Sequence, residues 1–187
     1  MERSVILAGF GGQGLLLCGH VLAEAAVVEG RDVSWMPSYG PEMRGGSASC
    51  TVIIADRPIG SPMVDQADVV VALTPPSLAK FESVVVPGGL LVVNSSLIEA
   101  EPGRADIEVA RIPCSALARE AGDDRLVSIA ALGAVIARRP VVAAESVRRA
   151  LVELVGSRHP ELLAADLAAF EAGRARGMEA AGISVAG

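Results

Sequence analysis

Lysine is nearly missing from this chain of 187 residues, since Lys80 is the only one. Lys and Arg total 16 against 22 Asp and Glu, for a formal net charge of −6, and no basic run breaks the pattern. The positive footprint that nucleic acid requires is therefore absent, and the acidic balance describes an ordinary solvated surface. The excess of Arg over Lys reflects the base composition of the genome. Aromatic residues make up only 3%, so Val, Leu, Ile and Ala must fill the core. The three cysteines, Cys18, Cys50 and Cys114, are far apart and form no CxxC pair. That spacing argues against a zinc ribbon and against an iron–sulfur cluster held by this chain alone. So sparse a set fits a reducing cytoplasm, with each thiol acting as a small buried apolar side chain. The apolar segments are broken by Gly, Pro or charge too often to cross a bilayer, and Met1-Glu2-Arg3 leads straight into a strand without a signal segment. Neither of the two histidines, His20 and His159, stands in a Ser, Cys or carboxylate pattern that suggests a triad, and nothing has metal-ligand spacing. No catalytic residue and no metal site is expected.

What is present begins at the N-terminus. Val5-Ile6-Leu7-Ala8 is long enough for one buried strand, and it breaks into Gly9-Phe10-Gly11-Gly12-Gln13-Gly14 before a helix-forming stretch. A strand that turns through glycines into a helix offers free backbone N–H groups at the positive end of the helix, where phosphate binds well. The Gly9-x-Gly11-x-x-Gly14 spacing matches the dinucleotide fingerprint in the right context. A dinucleotide site also needs a carboxylate at the end of the second strand. Here that end reads Trp35-Met36-Pro37-Ser38, and Asp32 lies before the strand. Gln13 can donate or accept next to a ligand or partner. Alternatively, the glycines serve only tight strand–helix packing.

Strand and helix signals alternate along the chain. Strands are expected at Ser4–Ala8, Val33–Met36 (ended by Pro37), Ala48–Ala55, Val69–Leu73, Leu90–Val93 after a Pro87-Gly88-Gly89 turn, and Glu108–Ile112. Helices are expected from Gly12 to Glu29 and, capped by Thr74 or Ser77, after Pro75-Pro76. From Leu126 the chain reads as mainly helical, with segments at Val127–Ala137, Ala143–Val155 and Glu161–Arg176. This predicts an α/β fold: a Rossmann-like, doubly wound, mostly parallel sheet with flanking helices and a helical C-terminal portion. One domain, 1–187, is the expected count, with about 178–187 as a tail that frays. The Ser38–Ala55 stretch departs from the rhythm and suggests a hairpin-like excursion at the carboxyl edge of the sheet.

That excursion carries the second dense segment, Pro37-Ser38-Tyr39-Gly40-Pro41-Glu42-Met43-Arg44-Gly45-Gly46. Glu42 and Arg44 are its only charges, and Tyr39 is the only tyrosine of the chain. It is expected beside the first glycine loop, in the crevice where such sheets bind ligands. Its bland alternative is an exposed turn with one solvated ion pair. Asn94-Ser95-Ser96 follows a buried strand at the same edge, so Asn94 lines the crevice or forms an Asx turn.

Together the two loops resemble the gamma subunit of the 2-oxoacid:ferredoxin oxidoreductases. The resemblance reaches to about Arg139. It is carried by Gly9–Gly14, Ser38–Gly46, Ile59-Gly60-Ser61-Pro62 and Val93-Asn94-Ser95-Ser96. The second loop is similar to the 2-oxoglutarate or branched-chain type. The pyruvate type usually has a second arginine where Met43 stands and lacks the double glycine, and the indolepyruvate type usually lacks the Gly-Pro-Glu core. The resemblance implies a subunit, inactive alone, of an enzyme that oxidatively decarboxylates a 2-oxoacid with coenzyme A, giving an acyl-CoA, CO2 and reduced ferredoxin. It implies alpha and beta partners, with delta in some members. Thiamine diphosphate and iron–sulfur clusters would lie in those partners, and coenzyme A on a shared surface. The residues it points to as contacts are Gly9, Gly11, Gly12, Gln13, Gly14, Ser38, Tyr39, Gly40, Glu42, Arg44, Gly45, Gly46 and Asn94. The competing readings are a free-standing nucleotide-binding or NAD(P)-linked oxidoreductase domain, and a scaffold whose glycine loop only packs on a partner.

Overall fold

The computed structural model describes residues 1–40 and 46–181. Six strands form one sheet in the order β2-β3-β1-β4-β5-β6. They are β1 (Glu2–Phe10), β2 (Asp32–Tyr39), β3 (Ser47–Ala55), β4 (Ala67–Ala72), β5 (Val85–Asn94) and β6 (Glu108–Ile112). β1, β4, β5 and β6 pair in parallel, while β3 runs antiparallel to both β1 and β2. The apolar runs occupy the centre because both their faces are covered. In register, Leu7 meets Val71, which meets Val92, and all three point into one core; Ile6, Val70 and Leu91 point into the other.

The two faces are covered unequally. On one side lie α1 (Leu15–Val28), α3 (Cys114–Ala121), α4 (Val127–Arg138), α5 (Ala144–Leu151) and α6 (Pro160–Ala181). The other carries only α2 (Pro75–Phe81) and loop residues such as Val64 and Ile98. α4 and α6 pack backbone to backbone: a Cβ on Gly133 would collide with the Phe170 carbonyl, and one on Gly173 with the Ala130 carbonyl. Ala and Gly in place of aromatics make this close approach possible.

Several elements differ from the sequence expectation. β2 continues through Pro37 to Tyr39, because it is an edge strand and an edge tolerates a residue without an N–H. β5 starts at Val85, and the Pro87-Gly88-Gly89 turn becomes an irregularity within it, with Gly88 at φ 73° and its N–H bonded to Asp106 O at 2.7 Å. α3 is an additional helix, and the expected 143–155 helix is α5 followed by a π-type turn, Val152–Gly156. α6 runs past Gly177 to Ala181, since Gly177 fits against Ala134 and Ala137 of α4. Residues 182–187 of the expected tail lie outside the described residues. The hairpin-like excursion is the β2–β3 pair, and β3 inserts between β1 and β2.

Candidate functional site

The turn after β1 is held by its own backbone and one side chain. Gln13 is 5% exposed, and its Oε1 accepts the Phe10 N–H at 3.0 Å. Its amide oxygen therefore shapes the loop from inside. Gly14 has φ 72° and caps α1 without a side-chain acceptor, and α1 has no acid in its first turn. The first-turn N–H groups of Leu15, Leu16 and Leu17 consequently have no side-chain cap, which is the arrangement that favours anions.

The register of β1 with β3 sets Phe10 opposite Ser47 and Gly9 opposite Ala48. The Gly11 N–H donates to Gly46 O at 3.1 Å, and the Gly40 N–H to Ser47 O at 2.7 Å. The glycine turn thus adjoins the end of β2 and the start of β3, at Gly40 and Gly46. Glu42, Arg44 and Gly45 lie outside the described residues.

Two clefts open on either side of this junction, and the half-exposed Phe10 and the exposed Tyr39 border both. The first, about 1000 Å³, lies between Gly11, Gly12, Gly14 and the start of α1 on one wall and the α3–α4 turn and α6 on the other. Its charges are Asp123, Arg125, Arg158, Glu161 and Asp166, with His159 at the rim. Arg125 is committed to Asp123, with Nε 3.0 Å from both carboxylate oxygens, and holds that carboxyl below its usual range. Asp166 is 3% exposed and its Oδ1 has no hydrogen-bond partner among the described residues. Burial, reinforced by the Asp123 charge and only partly offset by Arg125, pushes its carboxyl up to about 6.

The second cleft, about 670 Å³, is bounded by Gly9, Ser38, Gly40, Ser47, Ser49 and the Thr74–Ser77 turn, with Lys80 at the edge. Among the described residues no carboxylate lines it. Thr74 and Ser77 form a reciprocal cap (Thr74 N–H to Ser77 Oγ, 3.0 Å; Ser77 N–H to Thr74 Oγ1, 3.4 Å) that occupies the N-terminus of α2. Lys80 Nζ sits 5.0 Å from the Phe81 ring centre.

Of the sequence candidates, Gly11, Gly12 and Gly14 line the first cleft and Gly9, Ser38 and Gly40 the second, while Tyr39 is shared. Asn94 lines neither. It is fully buried, with Nδ2 donating to Leu73 O (3.2 Å) and Ser115 Oγ (2.9 Å), and it ties the end of β5 to α3. His20 is exposed and stacks on Trp35 at 5.2 Å. All three cysteines are free and buried. Among the described residues no group of His, Cys, Asp or Glu could hold a metal, and no helix is long and apolar enough to cross a membrane. Sequence reasoning missed Asp166 and the basic residues of the first cleft. An isolated acid on an amphipathic helix carries no local signal; only packing makes it a wall of a cleft.

The strand beside β1 on the α1 side is β3, which offers serines where a dinucleotide fold places the ribose-binding acid. The molecule is thus a Rossmann-like domain with a modified carboxyl edge. A family model described as pyruvate ferredoxin/flavodoxin oxidoreductase matches residues 4–176, and the chain belongs to that family. It is 43% identical over 136 residues to the ketoisovalerate oxidoreductase subunit VorA of Methanothermobacter thermautotrophicus, covering 73% of this chain but only 28% of that protein. It is 32% identical over 169 residues to the 2-oxoglutarate synthase subunit KorC of Methanocaldococcus jannaschii, covering 88% of this chain and 90% of that one. The gamma subunit of a keto/oxoacid ferredoxin oxidoreductase from Geobacter sulfurreducens superposes with a TM-score of 0.84 at 32% identity, over 96% of this chain and 98% of that chain. The fold also matches a 2-oxoglutarate:ferredoxin oxidoreductase from Magnetococcus marinus, with a TM-score of 0.85 at 24% identity, over 95% of this chain and 31% of that chain.

Proposed function

We propose that the chain is the gamma subunit of a multi-subunit 2-oxoacid:ferredoxin oxidoreductase of the 2-oxoglutarate or branched-chain type. The enzyme converts a 2-oxoacid and coenzyme A to an acyl-CoA, CO2 and reduced ferredoxin. Alpha and beta partners, with delta where present, hold thiamine diphosphate and the iron–sulfur clusters. This chain contributes a wall of the coenzyme A and inter-subunit surface. The observation that carries this reading is the Gly11–Gly46 hydrogen bond, which makes one surface of two loops that are more than thirty residues apart in sequence. The near-full-length match to a KorC subunit supports it.

The charge distribution favours the second cleft for coenzyme A. The first sets the acids Asp123, Glu161 and Asp166 beside Arg125, Arg158 and the α1 N-terminus, whereas the described lining of the second has hydroxyls and Lys80 and no acid. Ser38, Ser47, Ser49 and Lys80 are therefore the residues we assign to the polyanionic ligand, and Arg44 adds to them on the strength of the family resemblance. The test is co-expression with the alpha and beta subunits, followed by CoA-dependent reduction of viologen. A Cβ on Gly11 would meet nothing within 4 Å, so Gly11→Ala leaves the fold intact and probes the surface alone. Gly11→Ala, Lys80→Ala and Arg44→Ala are expected to raise the KM for CoA severalfold or weaken assembly. If all three leave both unchanged, the surface is wrongly assigned.

A further inference from the structure

We propose that the cleft between α1 and α6 receives an arginine or lysine side chain of a partner subunit, anchored on Asp166. The proposal rests on the reading of this chain as one subunit of a larger enzyme. Asp166 lies on the second turn of α6, lines the cleft, is almost wholly buried, and has an Oδ1 with no hydrogen-bond donor among the described residues. The groups facing it from the α3–α4 turn do not satisfy it: Asp123 repels it, and Arg125 is committed to Asp123. A buried acceptor without a donor is costly, and such groups persist where something outside the chain completes them.

The rest of the cleft says what that something is. Besides its charged groups, among them Arg158 and Glu161, the cleft is walled by Leu16, Leu17, Leu154 and Leu162, with Leu162 still 36% exposed. A purely apolar occupant would leave Asp166 buried and unpaired, and an anion drawn to the α1 N-terminus would leave it unpaired as well. A side chain with an aliphatic stem and a cationic head meets both demands, its methylenes on the leucines and its charge beside the Asp166 carboxylate. Phe10, Gly11 and Gly12 line the same cleft, so the pocket is continuous with the loop surface assigned to subunit contact. A partner segment can cover the leucines around the anchor, which a small cation could not.

The test measures the affinity of purified chain for the alpha–beta core, using wild type, Asp166→Asn, Leu162→Arg and the exposed-site control Glu101→Gln. Melting temperature and CoA binding are recorded alongside. Asp166→Asn keeps shape and removes charge; it is expected to melt no lower than wild type and to bind the core at least tenfold more weakly. Leu162→Arg fills the cleft mouth with a like charge and is expected to weaken binding similarly, which decides the matter should Asp166→Asn fold poorly. Glu101→Gln is expected to bind as wild type. Assembly of both cleft variants within twofold of wild type overturns the proposal. So does a loss of CoA affinity with assembly intact, because the cleft would then serve a small molecule. Failure of the wild-type chain to assemble defeats the subunit reading itself, and is distinguished by occurring without any substitution.

Discussion

Replacing Asp166 by Asn should stabilise the isolated chain at neutral pH. The carboxyl is buried, its Oδ1 has no donor among the described residues, and its pKa is raised from 3.8 to about 6. In the unfolded chain it titrates as an ordinary aspartate. Below the unfolded value the group is protonated in both states and folding gains or loses nothing. Between 3.8 and 6 the unfolded state ionises first, so the folded state is progressively penalised, and above 6 the penalty is complete. A shift of this size corresponds to about 3 kcal/mol. Water at the mouth of the cleft screens part of it, leaving about 1–2 kcal/mol. Asn has the same shape and no charge, so the variant recovers that amount, equivalent to roughly 4 °C in melting temperature. The assay is thermal or urea unfolding of both proteins from pH 4 to 8. The difference should vanish near pH 4, open through pH 5 to 6, and level off above. A variant that is less stable at pH 7.5, or a difference that does not change with pH, would refute the reasoning.

Three further outcomes are expected. Gly173→Ala drives a methyl into the Ala130 carbonyl at the α4–α6 seam; urea unfolding should show a loss of about 3 kcal/mol, and an unchanged midpoint would mean the helices separate freely. Gly14→Ala places a side chain at φ 72° against the Arg125 carbonyl; it should cost about 2 kcal/mol by the same measurement, from the left-handed backbone before any clash. The thiols should be inert in the native protein, because burial pushes Cys50 up to about 11, Cys114 up to about 12 and Cys18 higher still. Titration with an aromatic disulfide reagent at pH 8 should find none reactive before denaturation and three after. Rapid native labelling of any one would contradict the packing of α1 and α3 on the sheet.

Much of the fold was legible because burial on both faces leaves a mark in composition. Val69–Leu73 and Leu90–Val93 are apolar without a break, as a central parallel strand must be, and the glycines after Ala8 could only be a tight turn. The loops Gly9–Gly14 and Ser38–Gly46 were legible as a pair for a similar reason: glycine, proline and few charges cluster where backbone conformation matters more than side-chain solvation. What escaped was relational. Cys114–Ala121 is too short and mixed to announce a helix, and Pro37 would end a central strand yet is tolerated in β2 because β3 makes that strand an edge.

The sequence alone determined that this is an α/β chain with two unusual loops near one sheet edge, because hydrophobic periodicity and turn chemistry act over a few neighbouring residues. The tertiary structure decided the rest. It inserted β3 between β1 and β2, which brings Gly11 to Gly46 and puts serines where a ribose-binding acid would stand. It turned Gln13 and Asn94 inward, and packed α6 so that Asp166 is buried with no donor to its Oδ1 among the described residues. Whether a polar group is solvated, satisfied or stranded depends on what long-range packing sets beside it, and no local pattern encodes that.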